Sequence, residues 1–216
     1  MIILAAFDYK KEYKDLYLPK EKPSIVDVPT MGFIMVDGRG NPNTSPLYKA
    51  AVEVLYGLSY SIKMSKKSGT QPEGYFDYVV PPLEGLWWFE DNVFDGNVIG
   101  RKDEFSWVMM IRQPEFVTPA VFETAKVSLA KKKPALDTTI ARLEELTEGL
   151  CAQIMHIGPY DDEPPTVAAL EQFIEDNGYR TEMSGMRQHH EIYLGDPRKT
   201  APEKLKTVIR HPIVRI

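Results

Sequence analysis

The pattern that most constrains this chain is one that occurs twice. Phe33-Ile34-Met35-Val36-Asp37-Gly38-Arg39-Gly40 reads as a strand stopped by a glycine turn, and Ser45-Pro46 then opens a helix with proline in its first turn. From Leu47 to about Lys63 the apolar positions Leu47, Ala50, Ala51, Val54, Leu55, Leu58 and Ile62 fall at helical spacing. Two strands are expected next, one over residues 76–80 that resumes at 86–89 after Pro81-Pro82, the other over 105–111, with residues 91–103 as a loop between them. A helical stretch begins at Thr118-Pro119, and a further helix is expected over about 137–148. The order then starts over: a strand at 152–157 closed by Gly158-Pro159, a helix led by Pro164-Pro165 and capped by Asn177-Gly178, and strands at 188–194 and 205–210.

The endings rhyme, Met110-Ile111-Arg112-Gln113-Pro114 against Val208-Ile209-Arg210-His211-Pro212, and Leu83-Glu84-Gly85-Leu86-Trp87 sits beside His190-Glu191-Ile192-Tyr193-Leu194 in the same way. The expectation is an α+β fold with mainly antiparallel sheets, a single domain over 1–216. It would be made of two tandem, duplicated βαββ modules, about 25–115 and about 150–216, joined by helices over about 118–148. One such module is too thin to cover its own inner face, so the two should pair and leave a ligand cleft at their junction.

Charge and cysteine usage narrow the function classes. A net charge of -5 with no basic cluster beyond Lys131-Lys132-Lys133 argues against direct binding of nucleic acid. Cys151 is the sole cysteine and lies in an apolar run, so it offers neither a disulfide nor a cysteine metal site. The apolar run before Asp8 is too short for a signal core or a membrane span, which makes a cytoplasmic protein the expectation. There is no GxGxxG, GxxxxGK[ST] or GxSxG, so no cofactor is expected.

Eleven Tyr, nine Phe and three Trp make aromatic residues the compositional excess, and they gather near the few groups that could do chemistry. Strand alternation puts His189, Glu191 and Tyr193 on one face. If that face lines the cleft, an acid and a phenol share an aromatic cavity, and Glu191 can bind a cation or act as a base; an exposed glutamate on the outer face is the plainer alternative. Trp87, Trp88 and Trp107 lie in adjacent strands and read either as core or as a stacking cage, with Trp87 and Trp88 pointing to opposite sides. Tyr56 and Tyr60, four apart, share one helical stripe and could supply a hydrogen-bond donor. His189 and His190 must face opposite ways and no HExxH occurs, so no metal is expected.

Several of these segments resemble GyrI-like small-molecule-binding proteins: residues 33–40, Leu55-Tyr56-Gly57-Leu58-Ser59-Tyr60, Pro82-Leu83-Glu84-Gly85-Leu86-Trp87-Trp88, and above all His190-Glu191-Ile192-Tyr193-Leu194-Gly195-Asp196-Pro197-Arg198-Lys199. The similarity runs from about Ile25 to Pro212, and residues 1–24 add little to it. It implies tandem βαββ modules of the SHS2 type and places Glu191 at the pocket glutamate that engages cationic ligands in drug-sensing members. A stand-alone subfamily, the cyclopropanoid cyclopropyl hydrolases, opens the cyclopropane of DNA-alkylating compounds in an aromatic cage, a xenobiotic detoxification. The likeness to it implies Glu191 and Tyr56 as catalytic residues, and Trp87, Trp88, Trp107, Tyr60 and Tyr193 as ligand-binding ones. The expected partner is an aromatic small molecule. A non-catalytic drug-binding module, a homodimer and a gyrase contact are the open alternatives, and nucleic acid and membrane are not expected.

Overall fold

The computed structural model describes residues 5–90 and 99–216, so most of the expected 91–103 loop lies outside the described residues. In chain order the elements are α1 (Tyr9–Glu12), α2 (Lys14–Tyr17), β1 (Ser24–Val28), β2 (Met31–Arg39), α3 (Pro46–Lys63), β3 (Leu83–Trp88), β4 (Ser106–Arg112), α4 (Pro119–Lys132), β5 (Ala141–Leu146), β6 (Gly149–Ile157), α5 (Pro164–Asp176), β7 (Tyr179–Thr181), β8 (His189–Tyr193) and β9 (Lys206–Arg215). All pairings between these strands are antiparallel, and the sheet runs β1-β6-β9-β8-β3-β4-β2-β5, with β7 added on β9.

That order contains the duplication. The unit β2-α3-β3-β4 recurs as β6-α5-β8-β9, and in each the last strand lies between the first and the middle one. The middle strands β3 and β8 pair with each other, so the seam between the units is a strand pair at the centre of the sheet. Register corrects one of the sequence rhymes. Ile111 pairs with Leu83 and its counterpart Ile209 pairs with Glu191, so Leu83 rather than Glu84 is the structural equivalent of Glu191. A one-residue slip in a strand exchanges faces, and Glu84 and Glu191 accordingly lie on opposite sides of the sheet.

The local signals explain the helices. The Ser45 hydroxyl accepts from the Tyr48 amide at 3.3 Å and Pro46 fills the first turn, after which Ala51, Val54, Leu55, Leu58 and Ile62 bury one stripe of α3. Thr118 caps α4 in the same manner. The first face of the sheet packs Ile34, Val36, Trp107 and Ile111 under α3 and α4, and Ile154, Ile209 and Ile213 under α5. Alternate residues, Phe33, Met35, Leu86, Val108, Met110 and Val208, make a core on the second face.

Two expectations need correction. Helix ends at Lys132: residues 138–140 form a single 3-10 turn and the rest is β5, an edge strand on β2. Pairing with β2 overrides the helical propensity of this segment, and Arg142, Glu144 and Glu145 give it the charged character that protects a sheet edge. Residues 76–80 form no strand; Tyr78 makes an isolated bridge to Phe7, and β3 starts after the two prolines. The N-terminal residues, which contribute little to the sequence likeness, cover the second face: Tyr9, Leu16 and Tyr17 are buried there.

Beneath them lies a buried ionic cluster. Arg210 donates to Glu148 Oε2 at 2.8 Å and to the Leu16 carbonyl at 2.7 Å, and His190 meets Glu148 Oε1 at 2.9 Å and Glu84 Oε2 at 3.0 Å. Burial alone would push His190 and Glu148 toward neutrality, but the charges beside them win: His190 is raised to about 9 and Glu148 lowered to about 2. Cys151 is buried nearby, and burial lifts its thiol to about 12, consistent with a small core residue. Among the described residues no helix is long and apolar enough to cross a membrane.

Candidate functional site

Over the β3–β8 seam, between α3 and the start of α5, opens a cleft of about 1740 Å³. Its floor is the first face of the two middle strands, which carries Trp87, His189, Glu191 and Tyr193 side by side. One wall is α3. Tyr48, Val52, Tyr56 and Tyr60 recur every fourth residue and present a stripe to the cleft. The other wall is the turn into α5, with Tyr160 and Glu163.

The floor is held by specific contacts. Trp87 Nε1 donates to the Tyr193 hydroxyl at 2.9 Å, its ring packs on Tyr48 with centroids 6.0 Å apart, and it meets Phe105 edge-on at 5.2 Å. Tyr160 stands edge-on to Tyr193 at 5.5 Å. Gly85 makes this packing possible, because a Cβ there would lie 2.7 Å from Trp87 Nε1. The phenols stay protonated and serve as donors. Burial, and after it the Glu191 charge, raises Tyr48 and Tyr193 well above the ordinary phenol range and Tyr160 to about 12. Tyr56 is raised by burial and by Tyr60, against which it stacks at 6.3 Å.

Glu191 is the acid of the floor. Its side chain is 13% exposed, and Oε1 lies 3.1 Å from His189 Nε2. Facing it across the cleft is Glu163, the residue before Pro164-Pro165 at the start of α5. Glu163 is buried, its Oε1 has no hydrogen-bond partner, and burial followed by the Glu191 charge pushes its carboxyl well above the usual range. At the mouth Lys102 pairs with Asp161. Ligand atoms of Glu163, His189 and Glu191 lie within 4.8 Å of one another, but both His189 ring nitrogens are already engaged, Nε2 by Glu191 and Nδ1 by His211, so the arrangement suits a hydrogen-bonded chain better than a metal site.

The structure therefore brings together Glu191, Tyr193, Trp87, Tyr56 and Tyr60, with Tyr60 about half exposed at the rim. It does not bring in Trp88 or Trp107. Trp88 alternates to the second face and packs on that core. Trp107 is fully buried over Gly38, donates to the Gly40 carbonyl at 3.2 Å and supports Tyr48 edge-on at 5.4 Å, so it backs the cleft without lining it. Sequence reasoning missed Tyr48, Tyr160 and Glu163. Tyr48 was readable from the four-residue step to Val52, Tyr56 and Tyr60; Tyr160 and Glu163 come from a turn whose approach to the seam depends on tertiary packing.

Comparison with known proteins agrees with this geometry. The GyrI-like small molecule binding domain matches residues 21–214. A structure described as a hydrolase from Listeria innocua is 46% identical, with 96% of this chain and 100% of that chain covered and a TM-score of 0.87. An uncharacterized conserved protein from Listeria innocua is 48% identical over the same shares, with a TM-score of 0.90. The EcmrR C-terminal domain shares the fold at 12% identity, covering 90% of this chain and 98% of that one, with a TM-score of 0.54. Among curated proteins none matches the chain.

Proposed function

Because the chain belongs to the GyrI-like small molecule binding domain family, we propose that its cleft takes a flat aromatic small molecule and hydrolyses cyclopropanoid DNA-alkylating compounds, protecting the cell. The observation that carries this reading is Glu191, an acid set on an aromatic floor with its Oε1 oriented at 3.1 Å by His189. The description of a relative at 46% identity as a hydrolase supports it.

The substrate class is a strained cyclopropane fused to a conjugated dienone. Water forms a C–O bond to the ring carbon and a cyclopropane C–C bond breaks. Its electron pair moves through the ring system to the distant oxygen, which becomes a phenolate. Trp87, Tyr48 and Tyr193 hold the flat ring system by stacking and edge contacts. Glu191 orients the water and takes its proton. Tyr56, on the α3 wall, donates a hydrogen bond to the developing phenolate.

Incubation with a cyclopropanoid compound followed by mass spectrometry tests the proposal. The expected product is heavier by one water and forms over many turnovers, falling by about 10²–10⁴-fold in Glu191→Ala and Glu191→Gln. Full turnover in both variants would exclude the mechanism. A second reading, a non-catalytic binder of cationic aromatic drugs, is favoured by the orphaned Glu163 oxygen beside Glu191, since two acids among aromatic rings suit a cation. Binding without product would select it.

A further inference from the structure

Glu191 is the cleft end of a longer chain of contacts. His189 Nε2 meets Glu191 Oε1 at 3.1 Å, and its Nδ1 meets His211 Nε2 at 2.7 Å. His211 Nδ1 in turn meets Glu171 Oε1 at 2.5 Å, and the Glu171 carboxylate accepts from the Thr181 hydroxyl at 2.9 and 2.8 Å. Both histidine side chains are 1% exposed, whereas Glu171 on α5 is 38% exposed. The path thus begins in the cleft, crosses two sealed imidazoles and ends at solvent beyond α5.

Proton counting shows what such a chain can do. Each of its three contacts joins two atoms that can both accept, so each needs one proton, and three protons are shared by four ionisable groups. With all three turned one way, Glu191 is a carboxylate and Glu171 an acid. With all three turned the other way, Glu191 is the acid and Glu171 the carboxylate. The two intermediate arrangements place an imidazolium at His189 or at His211. The four arrangements carry the same net charge of −1 and differ only in which hydrogen bonds have reversed.

We propose that Glu191, His189, His211 and Glu171 form a proton wire that carries a proton from the cleft to the solvent side of α5. In catalysis this rests on the reading that Glu191 takes a proton from the attacking water. The step starts with both acids ionised and one proton on Nδ1 of each neutral imidazole. The water O–H bond breaks as the C–O bond forms, Glu191 holds that proton as the third, and three hops deliver a proton to Glu171, where solvent exchanges it. After product release the hops run back and Glu191 gives a proton to cleft water, which restores the starting state. The phenolate takes its proton from solvent after release, so the overall reaction adds one water and no net proton. His189, His211 and Glu171 are positioning and relay residues that never touch the substrate. Glu191 is faced within the cleft by Glu163, Tyr48, Tyr160 and Tyr193, and Lys102 at the mouth is engaged by Asp161. Among these, Glu163 is the group that could compete for the transferred proton. At the outer end, burial would raise Glu171, but His211 and Thr181 outweigh it and hold the carboxyl below its usual range, which suits a group that releases protons.

Nitrogen-15 NMR of the imidazoles tests the wire without any substrate. A head-to-tail contact at Nδ1···Nε2 between neutral rings requires His189 and His211 to adopt the same tautomer, and Glu171→Gln should shift the His189 resonances through His211. Opposite tautomers, or a His189 spectrum unmoved by Glu171→Gln, would overturn the proposal. Kinetics supply the second arm: His211→Leu and Glu171→Gln should each slow later turnovers more than the first. The steady-state rate should fall about tenfold or more and become dependent on the concentration of imidazole buffer. Two variants that keep wild-type, buffer-independent turnover would refute the wire even if both fold. A wild-type protein with coupled tautomers and no hydrolysis would refute the hydrolase reading alone.

Discussion

His190→Leu isolates what the ionic cluster on the second face contributes. The wild-type cluster contains two carboxyl side chains, Glu84 and Glu148, and two basic ones, His190 and Arg210, all 0–2% exposed. Removing His190 leaves Arg210 facing Glu148 and Glu84 at positions closed off from bulk solvent. Breaking one partner out of a buried pair destabilises by about 3–5 kcal/mol. At roughly 2–4 °C per kcal/mol for a domain of this size, the melting temperature should fall by about 6–20 °C.

The pH dependence fixes the cause. His190 sits at about 9 in the folded protein against an ordinary 6.5, so its stabilisation is complete below pH 6.5 and lost as pH rises through 9. Glu148 sits at about 2 against an ordinary 4.5, so its share is complete above pH 4.5 and lost as pH falls through 2. Urea unfolding should therefore show the widest gap between wild type and His190→Leu between pH 4.5 and 6.5, and a shrinking gap toward pH 9. Adding Glu84→Gln to His190→Leu removes the stranded acid while leaving Tyr17 a side chain to bond, and should recover at least half of the loss. A single variant within about 1 kcal/mol of wild type at pH 5.5, or a double variant no better than the single, would refute the reasoning.

Gly85→Ala should displace the Trp87 indole, whose Nε1 would lie 2.7 Å from the new Cβ, and break its bond to Tyr193; binding of a flat aromatic probe, followed by tryptophan quenching, should weaken about tenfold. Deleting residues 1–20 uncovers the second face and strips Arg210 of the Leu16 carbonyl. At about 1.5–3 kcal/mol for each of the buried Tyr9, Leu16 and Tyr17 side chains, urea titration should show a loss of several kcal/mol.

The duplication was legible because it is written in strong local signals: glycine turns at Gly40 and Gly158, prolines opening α3 and α5, and strands of alternating side chains. The pairing of Glu191 with His189 and Tyr193 on one face was legible for the same reason, since alternation is a property of the strand itself. What failed depended on partners distant in sequence. β5 has a helix-forming composition and becomes a strand because β2 offers an edge. Trp88 and Trp107 could not be separated from the cleft lining without knowing which face the helices cover. His211 and Glu171 carry no motif at all, and meet His189 only because β8, β9 and α5 stack.

The two neighbouring histidines of β8 show how the seam divides its work. His190 looks to the second face, where it and Arg210 lie in close contact with Glu84 and Glu148, an arrangement suited to holding β3 and β8 in register. His189 looks to the cleft, where the chain from Glu191 to Glu171 joins two acids through two imidazoles. A network closed by permanent cations stores stability. One closed only by imidazoles can reverse its hydrogen bonds at little change in charge. Adjacent residues of one strand thus place a rigid support directly behind a mobile proton path, and the pleat that sends them to opposite faces keeps the two networks from sharing a partner.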